Sequence, residues 1–237
     1  MQKIAVFDID GTIFRSSLVI ELLYELVECK VFPKSALKLV DKDFFAWLNR
    51  EGHYEDYINK VVEVYRENIK GKKVKDFERA EQRVIEKHKG KVYRFTRSLI
   101  KNLKNKNYII IAISGSPIGI VEKFSKSFGF NDWIGTEYEV DNKKFTGKVI
   151  NDPFFDGKDK ALLKFIKDKK LNIDLKQSIA VGDAWGDISL LETVGNPIAF
   201  NPSMDLAKVA KEKGWRVVVE RKNVIYEILN FDFLEID

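Results

Sequence analysis

Two aspartates stand two residues apart in Asp8-Ile9-Asp10-Gly11-Thr12, directly after the apolar run Ile4-Ala5-Val6-Phe7. Such a run fits a buried parallel strand, and ligands of open α/β sheets gather at the carboxyl ends of these strands. Residues two apart in an extended segment project to one side. Asp8 and Asp10 therefore face a common cleft, and Gly11 releases the backbone into a turn. Two carboxylates there are costly unless a cation uses them, so the pattern suits a metal-assisted nucleophile beside a second acid. Asp and Gly also end strands as plain turn residues, and the motif gains meaning only from what accompanies it. A calcium loop of the EF-hand type is excluded: it needs a Glu at its twelfth position, and counting from Asp8 that residue is Val19.

Three further segments supply companions. The run Ile109-Ile110-Ile111-Ala112-Ile113 ends in Ser114-Gly115-Ser116-Pro117, followed by helical character from Ile118 to Phe128. Ser116 is a plausible N-cap with Pro117 as first helical residue. The free N–H groups of that turn and the Ser114 hydroxyl could then cradle a phosphate. Ser178-Ile179-Ala180-Val181 ends in Gly182-Asp183-Ala184-Trp185-Gly186-Asp187, which places a second metal-ligand candidate, Asp183, after a strand and Asp187 one turn on. Lys158 and Lys160 open the amphipathic segment Ala161 to Lys169, and on residue type alone either is an ordinary solvated lysine.

The order Asp-x-Asp-Gly-Thr, Ser, Lys and Gly-Asp-x-x-x-Asp is far more specific than any one member. It resembles the haloacid dehalogenase superfamily, and within it the phosphoserine phosphatase-like branch, over nearly the whole chain. The later Pro197 to Ser203 and Gly214-Trp215 segments fit the same branch. The resemblance implies an α/β fold: a Rossmann-like core of mostly parallel sheet flanked by helices, with a helical cap inserted after the first strand motif. The expected division is 1–15 and 92–237 for the core and 16–91 for the cap.

The resemblance also implies roles. Asp8 attacks phosphorus to form an aspartyl-phosphate, and Asp10 is the general acid and then base. Thr12, Ser114 and Gly115 hold phosphoryl oxygens with Lys160, whose spacing to Asp183 matches related phosphatases better than that of Lys158. Asp8, Asp183 and the backbone carbonyl of Asp10 hold Mg²⁺, a hard ion suited to oxygen ligands, while Asp187 orients Lys160 or a metal-bound water. Dehalogenases of the superfamily lack an Asp at the position of Asp10, and phosphonate-cleaving members carry Ala there. The expected activity is Mg²⁺-dependent hydrolysis of a small phosphomonoester. A phosphotransferase using an alcohol acceptor and a non-enzymatic binding protein are the alternatives. Two departures bear on substrate: Ser17 stands where phosphoserine phosphatases place a Glu for the substrate amine, with Glu21 one turn further on as a substitute, and Gly186 stands where they usually carry Asn.

These residues need a scaffold that buries strands and covers a cleft. A chain of 237 residues can bury a sizeable core, and 45% hydrophobic with 32% charged residues is ordinary for a globular protein. Helical spacing appears within the insert at Leu18, Leu22, Leu23, Leu26 and Val27, at Leu37, Val40, Phe44, Phe45 and Leu48, and at Tyr54, Tyr57, Ile58, Val61, Val62 and Tyr65. Most of these apolar residues are expected as cap core. Trp133 to Val149 reads as a hairpin around Asp141-Asn142, and Pro197 to Asn201 and Arg216 to Val219 are expected to complete the sheet. The net charge of +5 is spread along the chain, and its densest run, Lys70 to Lys75, lacks interleaved aromatics. A small anionic metabolite is the expected partner rather than nucleic acid. The single Cys29, the absence of an apolar stretch near the roughly 20 residues of a membrane span, and the early first strand lead to the expectation of a cytoplasmic protein.

Overall fold

In the computed structural model, which describes residues 1–233, the amino-terminal apolar run becomes β1 (Ile4–Asp8) near the middle of an eight-stranded sheet. Four helices follow in succession: α1 (Leu18–Glu28), α2 (Ser35–Leu48), α3 (Tyr54–Ile69) and α4 (Val74–His88). The next elements are α5 (Arg94–Asn105), β2 (Ile109–Pro117), α6 (Ile118–Ser127), the antiparallel pair β3 (Asp132–Asp141) and β4 (Lys144–Asn151), and α7 (Pro153–Asp156). Then come α8 (Lys158–Asp168), β5 (Ile179–Gly182), α9 (Ile188–Glu192), β6 (Asn196–Phe200), α10 (Met204–Lys213), β7 (Arg216–Arg221) and β8 (Val224–Ile228).

The sheet order is β4-β3-β2-β1-β5-β6-β7-β8, parallel except where β4 and β8 pair at the two edges. From β1 the chain first builds outward through β2 and β3, then crosses to β5 and builds the other way. The carboxyl end of β1, between β2 and β5, is therefore the point where strand order reverses and a crevice opens.

Strand side chains alternate between two apolar layers, as period-two geometry requires. Ala5, Phe7, Ile110, Ala112, Val181 and Phe200 face one layer, and Ile4, Val6, Ile111, Ile113, Ala180 and Ala199 face the other. Coverage on both faces is what turns parallel strands into nearly unbroken apolar runs. The first layer continues without interruption into the helical insert through Leu18, Leu22, Leu26, Val40, Tyr57 and Val61, all buried. Glu25 on α1, also buried, accepts from Arg83 and from Lys87 at 2.5 Å, tying α1 to α4.

Several expectations need adjustment. The helical spacing of α2 is real, but Phe45 and Leu48 each stand 54% exposed. Neither belongs to the buried core, so their apolar character carries no core role. The hairpin turns on Asn142-Lys143, both with positive φ, one residue beyond the expected position. Ser116 does not cap a helix: it remains in β2, and Pro117 occupies the N-cap of α6. The sheet also does not end at β7, because Lys222, with φ of 55°, turns the chain back into β8. No helix among the described residues is long and apolar enough to cross a membrane.

Candidate active site

At the reversal point, β1, β2 and β5 deliver their terminal polar residues to one cavity of about 600 Å³. Asp8, the last residue of β1, is only 3% exposed, and Asp10, just beyond it, lines the same cavity. Gly11 makes the turn possible for two reasons. Its φ of +85° lies in the left-handed region, and a Cβ there would sit 2.2 Å from Asp183 Oδ2. A side chain at residue 11 would thus push away the carboxylate arriving from β5.

The loop after β5 is organised by Asp187. Its Oδ2 accepts the N–H groups of Asp183 at 2.9 Å and Ala184 at 3.1 Å, while its Oδ1 accepts from Lys158 at 2.5 Å. Gly182 gives it room, since a Cβ there would lie 2.4 Å from the Asp187 Cβ. Asp183 is tied from the other side by the Thr12 hydroxyl, which donates to its Oδ1 at 2.7 Å.

Lys158 also donates to Asp8 Oδ1 at 2.6 Å, and is buried with both partners. This revises the assignment of the site lysine, because Lys160 is exposed. The reason is helical phase. Gly157, with φ of +100°, makes a sharp entry and Lys158 is the first residue of α8. Two residues further on, a helix has rotated by about 200°, which directs Lys160 away from the cleft. Asp187 accordingly orients Lys158.

Asp10 Oδ2 accepts from the hydroxyls of Ser114 at 2.6 Å and Ser116 at 2.9 Å, and its Oδ1 accepts the Leu18 N–H at 2.5 Å. The first residue of α1 is therefore anchored on Asp10, coupling the helical insert to the cleft. Ser116 Oγ in turn accepts the Val19 N–H at 3.1 Å. Ser116 was missed as a site residue, although the period-two rule that pairs Asp8 with Asp10 also pairs Ser114 with Ser116. Gly115 lines the cavity between them, and a Cβ on it would meet Phe154 Cβ at 2.9 Å.

Four aspartates share this cavity with one lysine. Burial pushes Asp8 up to about 7; Lys158 pulls it down, while Asp187 and Asp10 add repulsion. Burial, then the charges of Asp8 and Asp187, hold Asp183 well above the usual carboxylate range. Asp10 is raised by burial against the hydrogen bonds from Ser114, Leu18 and Ser116. Burial alone would lower Lys158, but Asp187 and Asp8 outweigh it and keep the ammonium protonated. A site with this excess of negative charge is built to receive positive charge.

Carboxylate oxygens of Asp8, Asp183 and Asp187 can be chosen within 4.8 Å of one another, and Asp8 Oδ2 is buried without any hydrogen-bond partner. Asp187 has both oxygens engaged, so Asp8 and Asp183 are the better placed to hold an ion. An all-oxygen donor set of this kind fits a hard divalent cation.

The departures read from the sequence also find their places. Ser17 lines the cavity, is 1% exposed and brings no charge. Glu21 is turned elsewhere, accepting from Ser16 at 2.7 Å and Lys91 at 3.0 Å. Gly186 has open space where a Cβ would stand.

A family model described as haloacid dehalogenase-like hydrolase matches residues 5–192. The phosphoserine phosphatase of Archaeoglobus fulgidus is 25% identical over 209 residues, which is 88% of this chain and 55% of that relative. The chain thus spans about half the length of that protein. The phosphoserine phosphatase of Methanocaldococcus jannaschii is 26% identical over 234 residues, 97% of each chain. A solved structure described as a phospho-aspartyl intermediate analogue of phosphoserine phosphatase shares the fold, with a TM-score of 0.58 and 24% identity over 93% of this chain and 94% of its own.

Proposed function

Because the chain belongs to the haloacid dehalogenase-like hydrolase family, we propose that it is a Mg²⁺-dependent phosphatase hydrolysing a small phosphomonoester through an aspartyl-phosphate on Asp8. The observation that carries this reading is the state of Asp8. One oxygen is pinned by Lys158, and the other is buried and unpartnered in a residue that lines the cavity. The names of its archaeal relatives, phosphoserine phosphatases, support the reaction class.

In the first half-reaction the Asp8 carboxylate attacks phosphorus, the bond from phosphorus to the alcohol oxygen breaks, and Asp10 gives its proton to the departing oxygen. In the second, Asp10 removes a proton from water as that water attacks phosphorus. The bond to Asp8 then breaks, inorganic phosphate leaves, and Asp10 is again the acid. Lys158 holds Asp8 in position and balances charge on the phosphoryl oxygens, which is the main demand of a loose transition state. Thr12 and Ser114 serve the phosphoryl group after their hydroxyls turn from Asp183 and Asp10, while the Gly115 backbone leaves room for close approach. Asp8, Asp183 and the Asp10 backbone carbonyl would hold Mg²⁺, which when bound supplies positive charge to the phosphoryl group and lowers repulsion at Asp8. The helices α1 to α4 act as the cap that excludes water from the cleft.

The test is the near-isosteric Asp8→Asn variant. Folded protein with no Mg²⁺-dependent release of phosphate, and loss of the beryllium fluoride complex that wild type forms, is the expected result. Wild-type turnover by Asp8→Asn sinks the mechanism. Measuring transfer to an added alcohol against free phosphate separates hydrolase from phosphotransferase.

A further inference from the structure

The walls of the cavity beyond the aspartates are apolar to a degree that phosphoserine does not need. On α3 the residues Tyr54, Ile58, Val62 and Arg66 all line it. Their four-residue spacing makes one ridge of a helix, running about 18 Å. The facing side carries Phe154 and Phe155 from α7 and Trp185 from the loop after β5. These three rings are 42%, 63% and 67% exposed. Large aromatics left in water around a catalytic cavity mark a surface that a ligand covers.

The polar groups that could read an amino-acid headgroup are weakly placed. Arg66 is paired through one terminal nitrogen with Asp152 and lies 4.9 Å over the Phe155 ring, leaving its buried Nε as the part without a partner. Ser17 offers no charge to an amine, and Glu21 faces Lys91. Glu55, the one carboxylate on the α3 wall, is exposed at the first turn of that helix.

Resting on the phosphatase reading, we propose that the preferred substrate is an alkyl phosphomonoester whose alcohol carries an apolar ring. That ring packs between the Ile58-Val62 ridge and the Phe154, Phe155 and Trp185 rings, and the selectivity residues are those apolar side chains. The phosphate end binds at Lys158 and Asp8 as before.

Two arms separate this inference from the reaction on which it rests. Binding is measured calorimetrically with the non-hydrolysable 2-phenylethylphosphonate and ethylphosphonate in the presence of Mg²⁺. Turnover is measured as kcat/KM for 2-phenylethyl phosphate, ethyl phosphate and phosphoserine. The phenyl compound is expected to bind at least tenfold tighter than the ethyl one. Its kcat/KM should exceed those of both ethyl phosphate and phosphoserine by at least tenfold. Phe155→Ala, at a largely exposed position, should cut the phenyl-to-ethyl ratio at least threefold, and Ile58→Asn should cut it further. Equal affinity for the two phosphonates, or phosphoserine preferred with that preference lost in Glu55→Gln, overturns the inference. Tight phenyl binding with no turnover of any phosphomonoester supports the apolar subsite and overturns the phosphatase reading instead.

Discussion

Replacing Lys158 with Met removes the one lysine among the site aspartates while keeping a side chain of similar length, so little cavity is left behind. Asp8 and Asp187 lose contacts of 2.6 and 2.5 Å to the ammonium. Breaking a buried ion pair on one side costs about 3–5 kcal/mol of stability, because the remaining charge is uncompensated. On the proposed mechanism the transition state loses a preorganised charge-stabilising group, a factor of about 10²–10³ in kcat. Lys160→Ala, at an exposed position, should change stability by less than about 0.5 kcal/mol and leave kcat unchanged. The assay is phosphate release at saturating Mg²⁺, with thermal melting on the same samples and Mg²⁺ affinity by calorimetry. Removing a cation beside the carboxylates should leave Mg²⁺ affinity equal or tighter, which a merely unfolded protein cannot show. A folded Lys158→Met enzyme with wild-type kcat, alongside a crippled Lys160→Ala, would refute the assignment to Lys158.

Gly11→Ala should cost about 1–2 kcal/mol for the left-handed backbone alone and weaken Mg²⁺ binding severalfold, since the new Cβ displaces Asp183; unchanged melting and affinity would contradict the packing. Saturating Mg²⁺ should raise the melting temperature of wild type, by an amount equivalent to about 2.7 kcal/mol at 100 times Kd, and leave Asp183→Ala unmoved. Glu25→Gln should destabilise by about 1–2 kcal/mol at neutral pH, a charged hydrogen-bond loss discounted for half-exposed partners. Burial raises the Glu25 pKa, but Lys87 and Arg83 outweigh it and the net shift is downward. The stabilisation is therefore full above the ordinary value of 4.5 and fades as pH falls through the lower folded value. Urea melts from pH 7 to pH 3 should show wild type and variant converging in acid.

What the sequence made legible was set by local rules. The apolar run ending in Asp8 declares its strand, and the i, i+3, i+4 pattern declares α1 and α3, because burial acts on each with a short, fixed period. The same logic over-reads α2, where Phe45 and Leu48 keep the helical period yet stand more than half exposed. Lys158 was opaque for a different reason. Which of two lysines enters the cleft depends on the phase at which α8 begins, and that phase comes from the Gly157 turn. The walls of the cavity were less legible still, since α3, α7 and the loop after β5 lie far apart in sequence and meet only in the folded chain.

The hydrogen bonding of the cleft explains why so acidic a site can persist on a stable fold. Each site aspartate is answered within its own neighbourhood: Asp187 by two backbone N–H groups and Lys158, Asp10 by two hydroxyls and the Leu18 N–H, Asp183 by Thr12, and Asp8 through its Oδ1 by Lys158. Such bonds lower the cost of keeping charge out of water, so the unliganded fold bears little of it as an open deficit. Among the described residues the one buried carboxylate oxygen left without a partner is Asp8 Oδ2. That atom stands at the end of the strand where the sheet order reverses. Its unmet demand is what a cation can satisfy and what the rest of the loop does not.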